Sequence, residues 1–152
     1  MPYNVVAAED KPLVRQIIED MLDSFGHTIK GVGEKRGRAA QNGKEALEDF
    51  EDLARQGITP LILTDYAMPE MNGVQLIEAI LDSCKVNGWS VPPIIMVSGG
   101  VDDIKVATAF AQKHGIRFLQ KPVDIITLKA AIEEVAGGKA TEIRSPSMSA
   151  ER

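Results

Sequence analysis

One cysteine, Cys84, stands in the whole chain of 152 residues. A disulfide within the chain is therefore impossible, and a cysteine-rich metal site is excluded. Cys84 falls on a helical apolar pattern and reads as a small buried hydrophobe rather than a reactive thiol. No excess of basic charge is present: 17 Lys and Arg stand against 22 Asp and Glu, a net charge of −5. That leaves no overall positive field for holding nucleic acid, so no direct nucleic-acid partner is expected. No apolar run approaches membrane-spanning length. The opening Met-Pro-Tyr-Asn-Val-Val lacks a charged segment followed by an apolar one, so no membrane association and a cytoplasmic location are expected.

What is present is an alternation of short apolar runs and amphipathic patterns. Strands are expected at Val5–Ala8, Thr28–Val32, Leu61–Thr64, Ile94–Val97 and Arg117–Leu119. Helices are expected at Pro12–Phe25, Lys44–Arg55, Val74–Val86, Asp103–Lys113 and Ile125–Val135. The first helix would turn Leu13, Ile17, Met21, Leu22 and Phe25 inward. The fourth has the weakest stripe, with Ile104, Ala107, Phe110 and Ala111. The first, third and fourth strands are apolar at every position, which signals burial on both faces of a parallel sheet. The pattern predicts a doubly wound, five-stranded α/β domain, (βα)5, over residues 1–136. The Gly- and Ser-rich remainder, 137–152, reads as a disordered tail or linker.

In such sheets the working site lies beyond the carboxyl ends of the strands, where the strand order reverses. The residues waiting there are Glu9-Asp10 after the first strand, Asp65 after the third, Ser98 after the fourth and Lys121-Pro122 after the fifth. Each has an ordinary structural reading on its own. Asp10 would cap the first helix, and Asp65 would open a turn through Met68-Pro69, with Asn72-Gly73 a further turn signal. Together they gather carboxylates that repel one another, and a hard divalent cation relieves that repulsion. Mg²⁺ suits a site of few carboxylates, one carbonyl, water and phosphate, and Mn²⁺ could substitute.

These segments resemble the receiver domains of two-component response regulators, in particular chemotaxis-regulator-like receivers. The pieces that match are Glu9-Asp10, Leu-Thr-Asp65-Tyr-Ala-Met-Pro-Glu-Met-Asn-Gly73, Val-Ser98-Gly-Gly and Leu-Gln-Lys121-Pro122, within a span from about Asn4 to Val135. The resemblance implies that Asp65 is the phosphoacceptor and that Asp10 binds Mg²⁺ directly. It implies that Glu9 acts through metal-bound water and that the backbone carbonyl of Ala67 completes the protein ligands. Ser98 would close onto the phosphoryl group, with Gly99 leaving room for it. Lys121 would pair with Asp65 or the phosphoryl oxygens, across a cis Lys121–Pro122 bond. Phe118 would hold the position of the switch aromatic, and the fold the resemblance implies is flavodoxin-like with strand order 2-1-3-4-5.

The implied donor is a sensor histidine kinase or a histidine phosphotransfer protein, and the implied output is a contact with a downstream protein through the helix 4–strand 5–helix 5 face. Catalysis would be limited to self-catalysed phosphotransfer and autodephosphorylation. A stand-alone receiver is expected, with a receiver from a longer regulator or hybrid kinase as the alternative.

One stretch departs from the family pattern. Gly31-Val-Gly-Glu-Lys-Arg-Gly-Arg38 is an added, basic, glycine-rich segment, expected to follow strand 2 on the site's side of the sheet. Its readings are a solvated loop or an electrostatic guide for an acidic partner. Two rival chemistries fit poorly. A dehalogenase-type phosphatase needs a second acid where Ala67 stands. A nucleotide or flavin module needs a phosphate-binding glycine loop where Glu9-Asp10 stands.

Overall fold

Five parallel strands and five helices alternate along the chain in a computed structural model that describes residues 3–31 and 37–136. They run β1 (Asn4–Ala8), α1 (Pro12–Ser24), β2 (Thr28–Ile29), α2 (Gly43–Arg55), β3 (Leu61–Asp65), α3 (Gly73–Asn87), β4 (Ile94–Ser98), α4 (Val101–His114), β5 (Arg117–Gln120) and α5 (Ile125–Ala136). The sheet order is β2-β1-β3-β4-β5 and every pairing is parallel. The order in which strands are added reverses between β1 and β3, so the carboxyl ends of those two parallel strands flank the switch point.

Alternation along the strands divides the core in two. Val6, Ala8, Ile62, Ile94 and Met96 face α2, α3 and α4 and pack with Phe50, Leu76, Ile77, Ile80, Ala107 and Ala111. Val5, Ala7, Leu61, Leu63, Ile95, Val97 and Leu119 face α1 and α5 and pack with Leu22, Leu128, Ala131, Ile132 and Val135. The central strands are thus apolar on both sides because both sides are covered. Cys84 is buried in the first of these clusters, as its pattern suggests. Trp89, in the α3–β4 connection, sets its ring edge-on to Phe50 at 6.1 Å and helps close the base of that cluster.

Two expectations are corrected. In α1, Leu22 is buried and Met21 and Phe25 pack against the core, but Leu13 and Ile17 are 80% and 52% exposed. The inner side of the helix's first turns is formed instead by Val14 and Ile18, which line a cleft of about 420 Å³ with Leu63, Val97, Val123 and Leu128. The second correction concerns β2, which is paired only at Thr28–Ile29 before the added segment. Residues 32–36 of that segment lie outside the described residues.

The added segment interrupts the strand's pairing rather than following it. Lys30 N–H donates to Val5 O at 2.8 Å, Ala40 N–H donates to Ala7 O at 2.7 Å, and Ala8 and Ala40 form a parallel bridge. An uninterrupted strand would present residue 32 where Ala40 stands, so the detour is eight residues long, the length of Gly31–Arg38. Ile29 and Ala39 both face the α1–α5 cluster, which shows that the strand resumes with the same face inward. Glu19 on α1 fixes the return point, accepting from Ala39 N–H at 2.8 Å with Arg38 Nε at 3.8 Å.

Candidate functional site

At the end of β1 the chain leaves the sheet through Glu9 and Asp10. Glu9 is fully buried. Its amide donates to Ala40 O at 3.0 Å, Oε1 lies 3.0 Å from Lys121 Nζ, and Oε2 accepts from Lys11 N–H at 3.2 Å. Asp10 does not cap α1. The N-cap residue is Lys11, and no side chain caps that helix. Freed from that role, Asp10 Oδ1 sits buried with no hydrogen-bond partner.

Asp65 closes β3 and is 5% exposed. Its Oδ1 lies 3.1 Å from Lys121 Nζ, so one ammonium serves two carboxylates. Glu9, Asp10 and Asp65 each offer an oxygen, all within 4.8 Å of one another. Ser98 closes β4. Its carbonyl accepts Lys121 N–H at 2.8 Å, while its buried hydroxyl oxygen has no partner. The Lys121–Pro122 peptide is cis. Ala67 is exposed in the loop after β3, and Phe118 on β5 is half-buried against the α2–α4 side of the core.

The electrostatics follow from this crowding. Burial, and then the negative charge of Glu9, push the Asp65 carboxyl up to about 6, while Lys121 pulls against the rise. Burial lowers the affinity of Lys121 for its proton, but Asp65 and Glu9 more than offset that, so the ammonium is held above its ordinary value. With Lys121 counted, the three carboxylates leave two surplus negative charges. A divalent cation with oxygen ligands matches that surplus, and the unpartnered Asp10 Oδ1 is a free ligand atom for it. The residues present therefore fit such an ion.

Four features escaped the sequence reading or were given another reason. Gly73 is the first residue of α3, not part of a loose turn. A Cβ there would stand 2.6 Å from Asp65 O, so the helix can start against the phosphoacceptor candidate only with glycine. Asn72 caps that helix in a capping box with Gln75. Gly99 is small because a Cβ would meet Lys121 Cβ at 3.0 Å, so its space goes to the lysine stem. Arg15, one turn into α1, reaches back with Nη1 to Glu9 O at 3.0 Å and Asp10 O at 3.3 Å. An arginine five residues past an acidic pair was the available signal for it.

A buried aspartate on the central strand, an acidic pair beside it and a lysine bridging them thus stand together at the switch point of the sheet. The family described as response regulator receiver domain matches residues 5–133. The chain belongs to that family. Among its relatives, a chemotaxis protein CheY homolog of Campylobacter jejuni is 31% identical over 88% of this chain and 92% of its own length. CheY1 of Helicobacter pylori is 31% identical over 88% of this chain and 96% of its own. The receiver spans 45% of the length of an uncharacterized response regulatory protein of Staphylococcus epidermidis, at 29% identity over 86% of this chain.

In three dimensions it resembles a response regulator receiver domain protein of Clostridium thermocellum, with TM-score 0.71, 21% identity and coverage of 93% of this chain and 99% of that one. A chain in the co-crystal structure of the Saccharomyces cerevisiae histidine phosphotransfer protein Ypd1 with the receiver domain of Ssk1 matches at TM-score 0.70. It is 25% identical, over 91% of this chain and 92% of that one. The receiver is thus a two-component signalling domain of the phosphoacceptor family with the five-stranded 2-1-3-4-5 fold. Among the described residues no helix is long and apolar enough to cross a membrane.

Proposed function

We propose that this receiver accepts a phosphoryl group on Asp65 in a Mg²⁺-dependent reaction and signals by protein contact through the α4–β5–α5 face. The observation that carries the reading is the Asp65 carboxylate, 3.1 Å from Lys121 Nζ and gathered with oxygens of Glu9 and Asp10 inside 4.8 Å. A carboxylate is a weak nucleophile toward phosphorus, so the rate must come from placement and charge neutralisation.

Asp10, Asp65 and the Ala67 carbonyl would hold the ion, with Glu9 reaching it through water. Mn²⁺ could take the same place. When bound, the ion supplies positive charge to the oxygens around phosphorus. An Asp65 oxygen forms the new bond to phosphorus, and the bond to the donor histidine nitrogen breaks with its electron pair leaving on that nitrogen. The Lys121 ammonium pairs with phosphoryl oxygens, and the Ser98 hydroxyl, now without a partner, donates to one of them. Phe118 then moves into space that the β4–α4 loop vacates.

The donor is a histidine kinase or a histidine phosphotransfer protein, the kind of partner named with Ssk1 in the yeast structure. The same reading holds for a stand-alone receiver and for one within a longer regulator.

Intact mass after incubation with acetyl phosphate tests the assignment. The native chain should gain one phosphoryl group with Mg²⁺ and none with EDTA, and Asp65→Asn should gain none in either buffer. Undiminished labelling of Asp65→Asn would overturn it.

A further inference from the structure

We infer that Arg15 is a positioning residue for the Mg²⁺ site, acting through the backbone of Glu9 and Asp10 rather than through its charge; the inference rests on the metal reading above. Nη1 of Arg15 meets two successive carbonyls, Glu9 O at 3.0 Å and Asp10 O at 3.3 Å. On the other side, the amide of Glu9 is tied to Ala40 O at 3.0 Å. The peptide planes on both sides of Asp10 are therefore held from α1, while the preceding one is held from the resumed edge strand.

That restraint has a purpose at Asp10. Its Oδ1 is buried with no partner, a position that costs free energy and persists only where something holds the backbone that aims it there. The start of α1 offers little else: Lys11 at the N-cap makes no side-chain cap bond, and a further tie there, Lys11 N–H donating to Glu9 Oε2 at 3.2 Å, comes from within the loop itself. Arg15 is anchored on the first turn, its own amide donating to Lys11 O at 2.8 Å. It therefore fixes the helix start and the loop to each other, the arrangement expected of an outer partner that orients a metal ligand.

Charge alone gives the opposite sign. A guanidinium beside the site repels a divalent cation, so removing it would tighten Mg²⁺ binding. The positioning role predicts weaker binding, and the two accounts separate in one measurement.

Calorimetric titration of the full chain with magnesium chloride should show Arg15→Gln and Arg15→Ala binding Mg²⁺ roughly ten-fold more weakly than the native chain, with thermal melts confirming that each variant folds. Saturating Mg²⁺ should bring their acetyl phosphate labelling rates back near the native rate, which a general loss of structure would not allow. A folded variant that binds Mg²⁺ as tightly as the native chain, or tighter, overturns the inference, and so does a rate that saturating Mg²⁺ fails to restore. Should the native chain itself show no Mg²⁺ binding, the metal reading falls and takes this inference with it; native binding with unweakened variants removes the role of Arg15 alone. Should Arg15→Ala not fold, Arg15→Gln alone decides.

Discussion

At the scale of single residues, Asp65 is where function works against stability. Its carboxyl titrates at about 6 in the folded chain, against an ordinary value of 3.8. Between those values the folded state keeps a proton that the unfolded state has already lost. Stability therefore falls as pH rises through that window, and the cost remains in full above it. Asp65→Asn should be more stable than the native chain at pH 7 in EDTA, by on the order of 2–3 kcal/mol. The advantage should shrink as pH falls from 6 toward 4. Urea denaturation at pH 7 and pH 4 checks this, and equal midpoints at pH 7 would contradict it.

The charged members of the site were legible in the sequence because each ends a strand, and topology alone carries strand ends to one edge. Arg15 and Gly73 were not legible in that way. Arg15 acts through backbone carbonyls whose direction no residue type announces, and the need for Gly73 appears only when a Cβ at the start of α3 is seen to fall 2.6 Å from Asp65 O.

Among the elements, α4 is lightly committed to the core. It begins at Gly100 with no side-chain cap, only Ala107 and Ala111 are fully buried, and Val101 and Val106 lie 77% and 50% exposed. Few buried contacts mean a low cost of local movement. Phe118 on the neighbouring β5 is only half-buried. On binding of a beryllium fluoride phosphoryl mimic with Mg²⁺, amide exchange should change along α4, β5 and α5 more than along α2 or α3. Unchanged exchange on that face would sink the switching reading.

The weak stripe of α4 was readable from the sequence; the true face of α1 was less so. Its apolar positions run wider than the core needs, so periodicity admitted Leu13 and Ile17 together with Leu22. The packing chose Val14, Ile18, Met21 and Leu22, left Leu13 exposed, and left Ile17 on the rim of a cleft that Gly99 and Lys121 also line. For β2, hydrophobic run length could not reveal a strand whose two parts lie ten residues apart.

For the molecule as a whole, unbroken apolar strands in β1, β3 and β4 were enough to imply helices on both faces, and the two separate clusters realise that. The interrupted edge strand tests how independent the sheet is of its added segment. Joining Lys30 directly to Ala39, with residues 31–38 removed, keeps the pairing of Ala40 with Ala8 and leaves Ala39 facing the same cluster. Loop closure contributes only weakly with length, so stability should change by about 1 kcal/mol or less. Acetyl phosphate labelling of Asp65 should persist. A variant that failed to fold would show that the segment supports the sheet.

The detour sits at the margin of the fold and comes back onto the carbonyl that steadies Glu9. A margin that opens and closes again in step is where added length disturbs the neighbouring chemistry least. Its one obligation is that every rewritten passage must end by handing Ala40 back to Glu9.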